Sequence, residues 1–107
     1  MFKNFNFNLF GDKWKVKFMD AVEQPAPLTA DGSWVDGMCY GEKGEIHVAI
    51  KDKEGTPKPP EKVQQILMHE VVHAIFTSGQ YLSCTNDEPL VEWMAKSIIS
   101  LSKQNVI

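Results

Sequence analysis

Two histidines and a glutamate lie within one five-residue segment of this sequence. They are His69, Glu70 and His73 in HEVVH. Residues four apart on an α-helix share a face, so the two imidazoles can reach one ion at about 2.0–2.1 Å. Glu70 projects beside His69, where its carboxylate can take a proton from a water molecule that the metal activates. The spacing therefore predicts one zinc ion per chain, with Glu70 as the general base.

A catalytic zinc site needs a third protein ligand besides these two histidines. No histidine stands six residues after His73, because that position is Gly79. His47, the remaining histidine, lies in a strand-like pattern and is interpreted as an ordinary strand residue. Carboxylates after the motif are the other candidates, and they are Asp87, Glu88 and Glu92.

The segments HEVVHAI, from residue 69, and EPLVEWMA, from residue 88, together resemble the gluzincin pattern. They are similar in particular to the small ImmA/IrrE-like metallopeptidases of phages and mobile elements. The resemblance implies that Glu88 is the third zinc ligand and that Glu92 orients a zinc-bound histidine. Pro89 is expected to hold Glu88 at the helix cap, outside the α conformation, and Glu92 stays a second choice as ligand. Asp87 is a more remote candidate.

The resemblance implies peptide-bond hydrolysis, with a peptide or protein as the substrate. An edge strand over residues 45–50 is expected to align that substrate by β-augmentation. Tyr81 and Tyr40 are candidate donors to a developing oxyanion. The alternative is a non-catalytic, zinc-stabilised binding or regulatory module of phage or mobile-element origin. A third possibility is that the motif binds no metal.

Two helices must position these residues. The first is predicted to begin at Pro60 and to end at Gly79, because proline suits a first turn and glycine a C-terminus. The second is predicted from about Asp87 to Lys103. Both carry apolar residues at helical spacing.

The first twenty residues predict a β-hairpin, because residues 4–10 and 13–19 alternate polar and apolar side chains around a Gly11-Asp12 turn. That turn pairs Phe5 with Phe18, Phe7 with Val16, and Leu9 with Trp14. Residues 20–38 are predicted to form an irregular loop that Trp34 anchors, and residues 51–60 an exposed connection. We therefore predict one α+β domain over residues 1–107. It has a small antiparallel or mixed sheet, made of the hairpin and one strand, on two main helices in a zincin-like arrangement.

Charge and composition exclude several classes of function. The net charge is -3 with no Lys/Arg run, which argues against nucleic-acid binding. No apolar stretch is long enough to predict a membrane span. Cys39 and Cys84 form no C-x-x-C pair and are expected to be free thiols. The N-terminal residues lack the apolar core of a signal peptide, so we expect a cytoplasmic protein. The oligomeric state stays open.

Overall fold

The computed structural model of this chain describes residues 2–23 and 33–105. Four strands form one mixed sheet, and two long helices and one short helix follow it along the chain. The elements are β1 (Phe5–Leu9), β2 (Asp12–Met19), β3 (Gly37–Tyr40), β4 (Glu45–Ala49), α1 (Pro60–Ser78), α2 (Leu82–Thr85) and α3 (Glu88–Lys103). The predicted α+β class with two main helices is confirmed.

The strand order in the sheet is β1-β2-β4-β3. β2 and β4 run parallel, whereas β1 with β2 and β3 with β4 run antiparallel. The prediction that residues 45–50 form an edge strand is therefore wrong, because β4 lies between β2 and β3. Among the described strands, β1 and β3 lie at the two edges, and β3 falls at the end of the segment predicted to be a loop. The rest of that prediction lies partly in residues 24–32, outside the described residues.

The hairpin forms with a register two residues away from the predicted one. Phe5 pairs with Val16, Phe7 with Trp14, and Leu9 with Asp12. The turn residues are Phe10 and Gly11, with φ angles of 52° and 87°. Two successive positive φ values are typical of a type I′ turn, which favours glycine at its second position rather than its first. A shift of two residues keeps each side chain on its predicted face.

α1 is buried on two sides, which explains why it is apolar around most of its circumference. One side packs on the sheet through a core of Trp14, Val16, Ile46, Val48, Val63, Ile66 and Ala74. Another side packs on α3 through Val72, Val91 and Ala95. The layers are therefore sheet, α1 and α3, so α3 rests on α1 rather than on the sheet.

The helix ends follow the sequence with one correction. α1 begins at Pro60 and is followed by Gly79, as predicted. At α3, Asp87 is the N-cap and its Oδ1 accepts a hydrogen bond of 3.1 Å from the backbone N–H of Leu90. Glu88 is thus the first helical residue rather than the cap, because Pro89 fits within the first turn.

Several smaller predictions have clear outcomes. Cys39 and Cys84 are free, as predicted. Trp34 is half-buried. The connection before α1 is largely exposed, except that the Lys58 side chain is only 7% exposed. Within the described ranges, no helix is both long and hydrophobic enough to span a membrane.

Candidate metal centre

Two neighbouring turns of α1 and the first turn of α3 bring three donor groups together. Glu88 Oε2 lies 2.9 Å from His69 Nε2, and Glu88 Oε1 lies 3.0 Å from His73 Nε2. One ligand atom from each residue falls within 4.8 Å of the others. The cluster of His69, His73 and Glu88 could therefore hold a metal ion.

Each histidine is held at its other ring nitrogen by a second side chain. Glu92 Oε2 lies 2.9 Å from His69 Nδ1, and Thr85 Oγ1 lies 2.9 Å from His73 Nδ1. The Thr85 hydroxyl also donates to the backbone carbonyl oxygen of His73 at 3.4 Å. With that proton used there, the Thr85 oxygen can accept from Nδ1–H of His73, the tautomer that leaves the Nε2 lone pair for a metal in place of the Glu88 contact. Such contacts fix the rotation and tautomer of a histidine that binds a metal.

The three donor groups are of types that a metal ion such as zinc accepts. Ligand atoms about 2.0–2.1 Å from a central ion are separated by about 3.3 Å in tetrahedral geometry. The observed contacts of 2.9 and 3.0 Å join the two histidine nitrogens to different Glu88 oxygens, and one ligand atom from each residue lies within 4.8 Å of the others. Two imidazole nitrogens and one carboxylate oxygen are also ligand types that zinc accepts, and they leave a fourth position open.

The remaining candidate ligands of the sequence lie elsewhere. Glu92 contacts Nδ1 of His69, on the far side of the ring from Glu88, and is not among the three donor residues. Asp87 caps α3. His47 lies on the sheet, where its Nε2 is 2.9 Å from Glu45 Oε1, and is not part of the cluster.

Glu70 is the one charged residue in the buried class among the described residues, and it is 8% exposed. Burial is the main effect and raises the pKa of its carboxyl group from 4.5 to about 7. The positive charge of His69 lowers this pKa, and the negative charge of Glu88 raises it.

Gly37, the first residue of β3, packs directly against the Glu70 side chain. A Cβ atom at Gly37 would lie 2.9 Å from Ile66 Cγ2 and 3.1 Å from Glu70 Cγ. Only glycine lets the edge strand approach α1 this closely.

Two clefts flank Glu70 where β3 passes over α1. Cleft A, of about 380 Å³, is lined by Met38, Cys39, Glu70, His73, Thr77, Thr85, Asn86 and Glu88. Cleft B, of about 400 Å³, is lined by Val35, Asp36, Gly37, Met38, Lys62, Gln65, Ile66, His69, Glu70 and Glu92. Met38 and Glu70 belong to both, so the clefts meet at Glu70, next to the candidate cluster of His69, His73 and Glu88. Burial, together with the charge of Glu70, raises the pKa of the Cys39 thiol to about 12.

Neither candidate tyrosine lines the clefts beside Glu70, although burial and the charges of Glu45 and Glu70 raise the pKa of Tyr40. The Tyr40 hydroxyl donates to the backbone carbonyl oxygen of Glu23 at 3.5 Å, and its ring packs 4.6 Å from that of His47. Tyr81 precedes α2 and is 67% exposed. Neither residue lines cleft A or cleft B.

Sequence reasoning missed Thr85 and Gly37. Thr85 depends on α2, a single helical turn whose placement against α1 no local pattern indicates. Gly37 was visible only as a loop glycine, and its role depends on how closely β3 approaches Glu70.

Comparisons of this chain with protein-family models, curated proteins and solved structures found no match.

Proposed function

We propose that this chain is a zinc-dependent peptidase of the gluzincin type with a zincin-like domain. The observation that carries the proposal is the position of Glu70. Its buried carboxyl group lies beside the His69, His73 and Glu88 donors and lines both clefts along the edge strand. This arrangement joins the groups that metal-assisted hydrolysis requires in one place.

His69 Nε2, His73 Nε2 and the Glu88 carboxylate would hold the zinc ion. When bound, zinc supplies Lewis-acid chemistry that polarises a carbonyl group and makes water more acidic. Glu92 and Thr85 contact the Nδ1 atoms and would keep both Nε2 atoms turned toward a bound ion. This support limits the entropy that the two rings lose on binding a metal.

Glu70 is suited to accept a proton from water and to return it to the leaving amine. A general base works best when its pKa lies near the working pH, and burial raises the pKa of Glu70 to about 7. A positive ion held nearby would lower this value again, toward the ionised form that accepts a proton. The same carboxyl group can therefore serve both proton transfers.

β3 is suited to align an extended peptide. Among the described residues it has one sheet neighbour, β4, and the proposal places the peptide along its other edge. A peptide that adds to this edge would pass over Glu70, with cleft A on one side and cleft B on the other. The open clefts favour an extended chain or an exposed loop as the substrate.

The burial of Glu70 also argues against the non-catalytic alternative. A metal site that only stabilises the fold needs no base, and burying an ionisable carboxyl group costs folding free energy. Glu92 and Thr85 already contact the two histidines, whereas Glu70 makes no hydrogen bond to either histidine or to Glu88. A catalytic role accounts for the cost of its burial.

Zinc analysis and cleavage assays on the same samples test the proposal. We expect near-stoichiometric zinc in the wild type and in Glu70→Gln, and loss of zinc in His73→Ala. A peptide mixture from a digested bacterial proteome should be cut by the wild type and not by Glu70→Gln. Zinc binding without any cleavage would favour the non-catalytic module. Absence of zinc after reconstitution would overturn both.

A further inference from the structure

Lys62 gives one of the two clefts beside Glu70 a positive charge. The chain has no arginine, so lysines are its strongly basic side chains. Lys62 lines cleft B, and it is the only lysine among the described residues that line either cleft. Cleft A has Glu70 and Glu88 in its lining and no lysine. The two clefts therefore differ in charge.

Two acidic side chains of cleft B are already engaged by other groups. Asp36 Oδ1 lies 2.7 Å from Lys58 Nζ, and Glu92 Oε2 lies 2.9 Å from His69 Nδ1. Lys62 is exposed, and its ammonium group forms no ion pair or hydrogen bond with another described residue. Its charge is therefore available to an anionic group that enters cleft B.

Cleft B connects Lys62 directly to the candidate catalytic residues. Lys62, Ile66, His69 and Glu70 all line it, because their spacing places them on one face of α1. The start of β3 and the two residues before it also line this cleft, so a peptide lying along β3 reaches it. Lys62 precedes His69 by seven residues, about 10 Å along the helix axis. An extended peptide advances about 3.3 Å per residue, so its third residue from the cut bond lies nearest Lys62.

We infer that Lys62 determines substrate specificity by binding a carboxylate of the peptide that is cut at Glu70. This inference rests on the proposed peptidase function and adds a preference among substrates. The long, flexible lysine side chain gives some freedom in position, so the carboxylate stands about two to four residues from the cut bond, on the side that lies in cleft B. An aspartate or glutamate side chain and the C-terminus of the peptide both supply this group.

The stability of α1 does not account for a lysine at this position. Lys62 lies in the first turn of the helix, where the backbone dipole is positive and favours acidic rather than basic side chains. Glu61, the acidic residue of that turn, lines a different depression and no part of cleft B. The helix dipole and Lys62 therefore both attract an anionic group to this end of cleft B.

The test compares four zinc-loaded proteins: the wild type, Lys62→Gln, Lys62→Glu and the control Lys96→Gln. Glutamine is a good helix former and glutamate suits a first turn, so both Lys62 variants should fold. Lys96 is exposed on α3 and lines neither cleft, so its replacement removes an equal charge elsewhere. Mass spectrometry first locates the bonds cut in a digested bacterial proteome. Synthetic peptides with Glu or Gln at one position, and with a free or amidated C-terminus, are then assayed in pairs.

We expect the wild type and Lys96→Gln to cut the peptide with the extra carboxylate about three- to fivefold better in kcat/KM, as for an exposed ion pair. Lys62→Gln should abolish this preference and Lys62→Glu should reverse it. In about 1 M salt the wild type should lose most of it, because exposed charges are then screened. The Glu/Gln pairs and the acid/amide pairs show which source supplies the carboxylate. Cleavage without such a preference, or a preference that both Lys62 variants keep, overturns the inference and leaves the peptidase function standing.

A binding measurement separates failure of this inference from failure of the proposed function. Immobilised, zinc-loaded Glu70→Gln chain is incubated with the digested proteome, and the retained peptides are identified. The same chain carrying Lys62→Gln as well is the comparison. If the wild type cuts nothing, yet acidic peptides are retained and the added Lys62→Gln releases them, the peptidase function fails and Lys62 stands as a carboxylate-binding residue. If peptides are neither cut nor selectively retained, both fail.

Discussion

Thr85 Oγ1 lies 2.9 Å from His73 Nδ1 and donates its own proton to the backbone carbonyl oxygen of the same histidine. The hydroxyl thereby closes a ring of contacts that restricts the rotation of the His73 ring and favours a proton on its Nδ1. His69 receives comparable support from the Glu92 carboxylate. The two rings are thus held at Nδ1 by unlike groups, one neutral and one charged.

Replacing Thr85 tests whether its hydroxyl group orients the His73 ring. Thr85→Val keeps the shape of the side chain but removes the acceptor for the Nδ1–H of His73. We expect zinc affinity to fall by about tenfold or more, as for other groups that orient metal ligands. Thr85→Ser retains the hydroxyl and should stay near the wild type. Competition with a chromogenic chelator measures both, and equal affinity in all three proteins would contradict the assigned role.

Glu88 and Glu92 should respond differently to the same substitution. Glu88 contacts both Nε2 atoms, whereas Glu92 contacts only the far nitrogen of His69. Glu88→Ala should therefore lose zinc, while Glu92→Ala should keep zinc with affinity about 10–100-fold lower. Elemental analysis after dialysis against dilute chelator distinguishes them. The reverse order would make Glu92 the ligand.

The sequence predicted the parts of this site that local geometry determines. His69, Glu70 and His73 lie on one helix, so their spacing fixes their arrangement. Pro60 and Gly79 set the limits of that helix by the same local rules. The fold class also followed, because alternation and helical periodicity appear within each segment.

Long-range packing determines what the sequence did not predict. β3 has four residues and no clear alternation, and it becomes a strand only because β4 offers an edge and Gly37 fits against Glu70. The hairpin register differed because Gly11 takes the second position of the turn. Thr85 reaches His73 through a helix of one turn. None of these contacts leaves a periodic signal in the chain.

An ion pair beneath cleft B should stabilise the edge strand. Lys58 Nζ lies 2.7 Å from Asp36 Oδ1 and donates to the Ala49 carbonyl oxygen at 2.9 Å, and its side chain is only 7% exposed. Asp36 directly precedes β3, so this contact ties the connection before α1 to the strand that covers Glu70. Breaking it should loosen β3 more than it disturbs the helices.

Lys58→Met tests this link. The variant keeps most of the apolar stem but loses the ammonium group, and we expect about 1–3 kcal/mol lower free energy of unfolding. Hydrogen exchange at residues 37–40 should become faster, and KM for peptides should rise more than kcat falls. Lys53→Met, at an exposed position of the same connection, is the matched control. Unchanged exchange in β3 would show that the ion pair does not hold the strand.

The raised pKa of Glu70 makes the stability of the metal-free chain depend on pH. Between pH 4.5 and about 7 the folded state keeps a proton on Glu70 that the unfolded state releases. Folding stability therefore falls as pH rises through this range, by up to about 3 kcal/mol. Glu70→Gln cannot ionise and does not share this loss. Its stability relative to the wild type should consequently increase from pH 5 to pH 8.

Urea unfolding in excess chelator at pH 5 and pH 8 measures the effect. Any fixed cost of a buried amide appears at both pH values and cancels when the two differences are compared. Glu61→Gln, in the exposed first turn of the same helix, controls for the loss of one carboxylate. Saturating zinc should shrink the effect, because a positive ion stabilises the ionised carboxylate. If Glu70→Gln and the wild type change in parallel with pH, then Glu70 titrates near 4.5 in the folded chain, and its burial does not prepare it to act as a base near neutral pH.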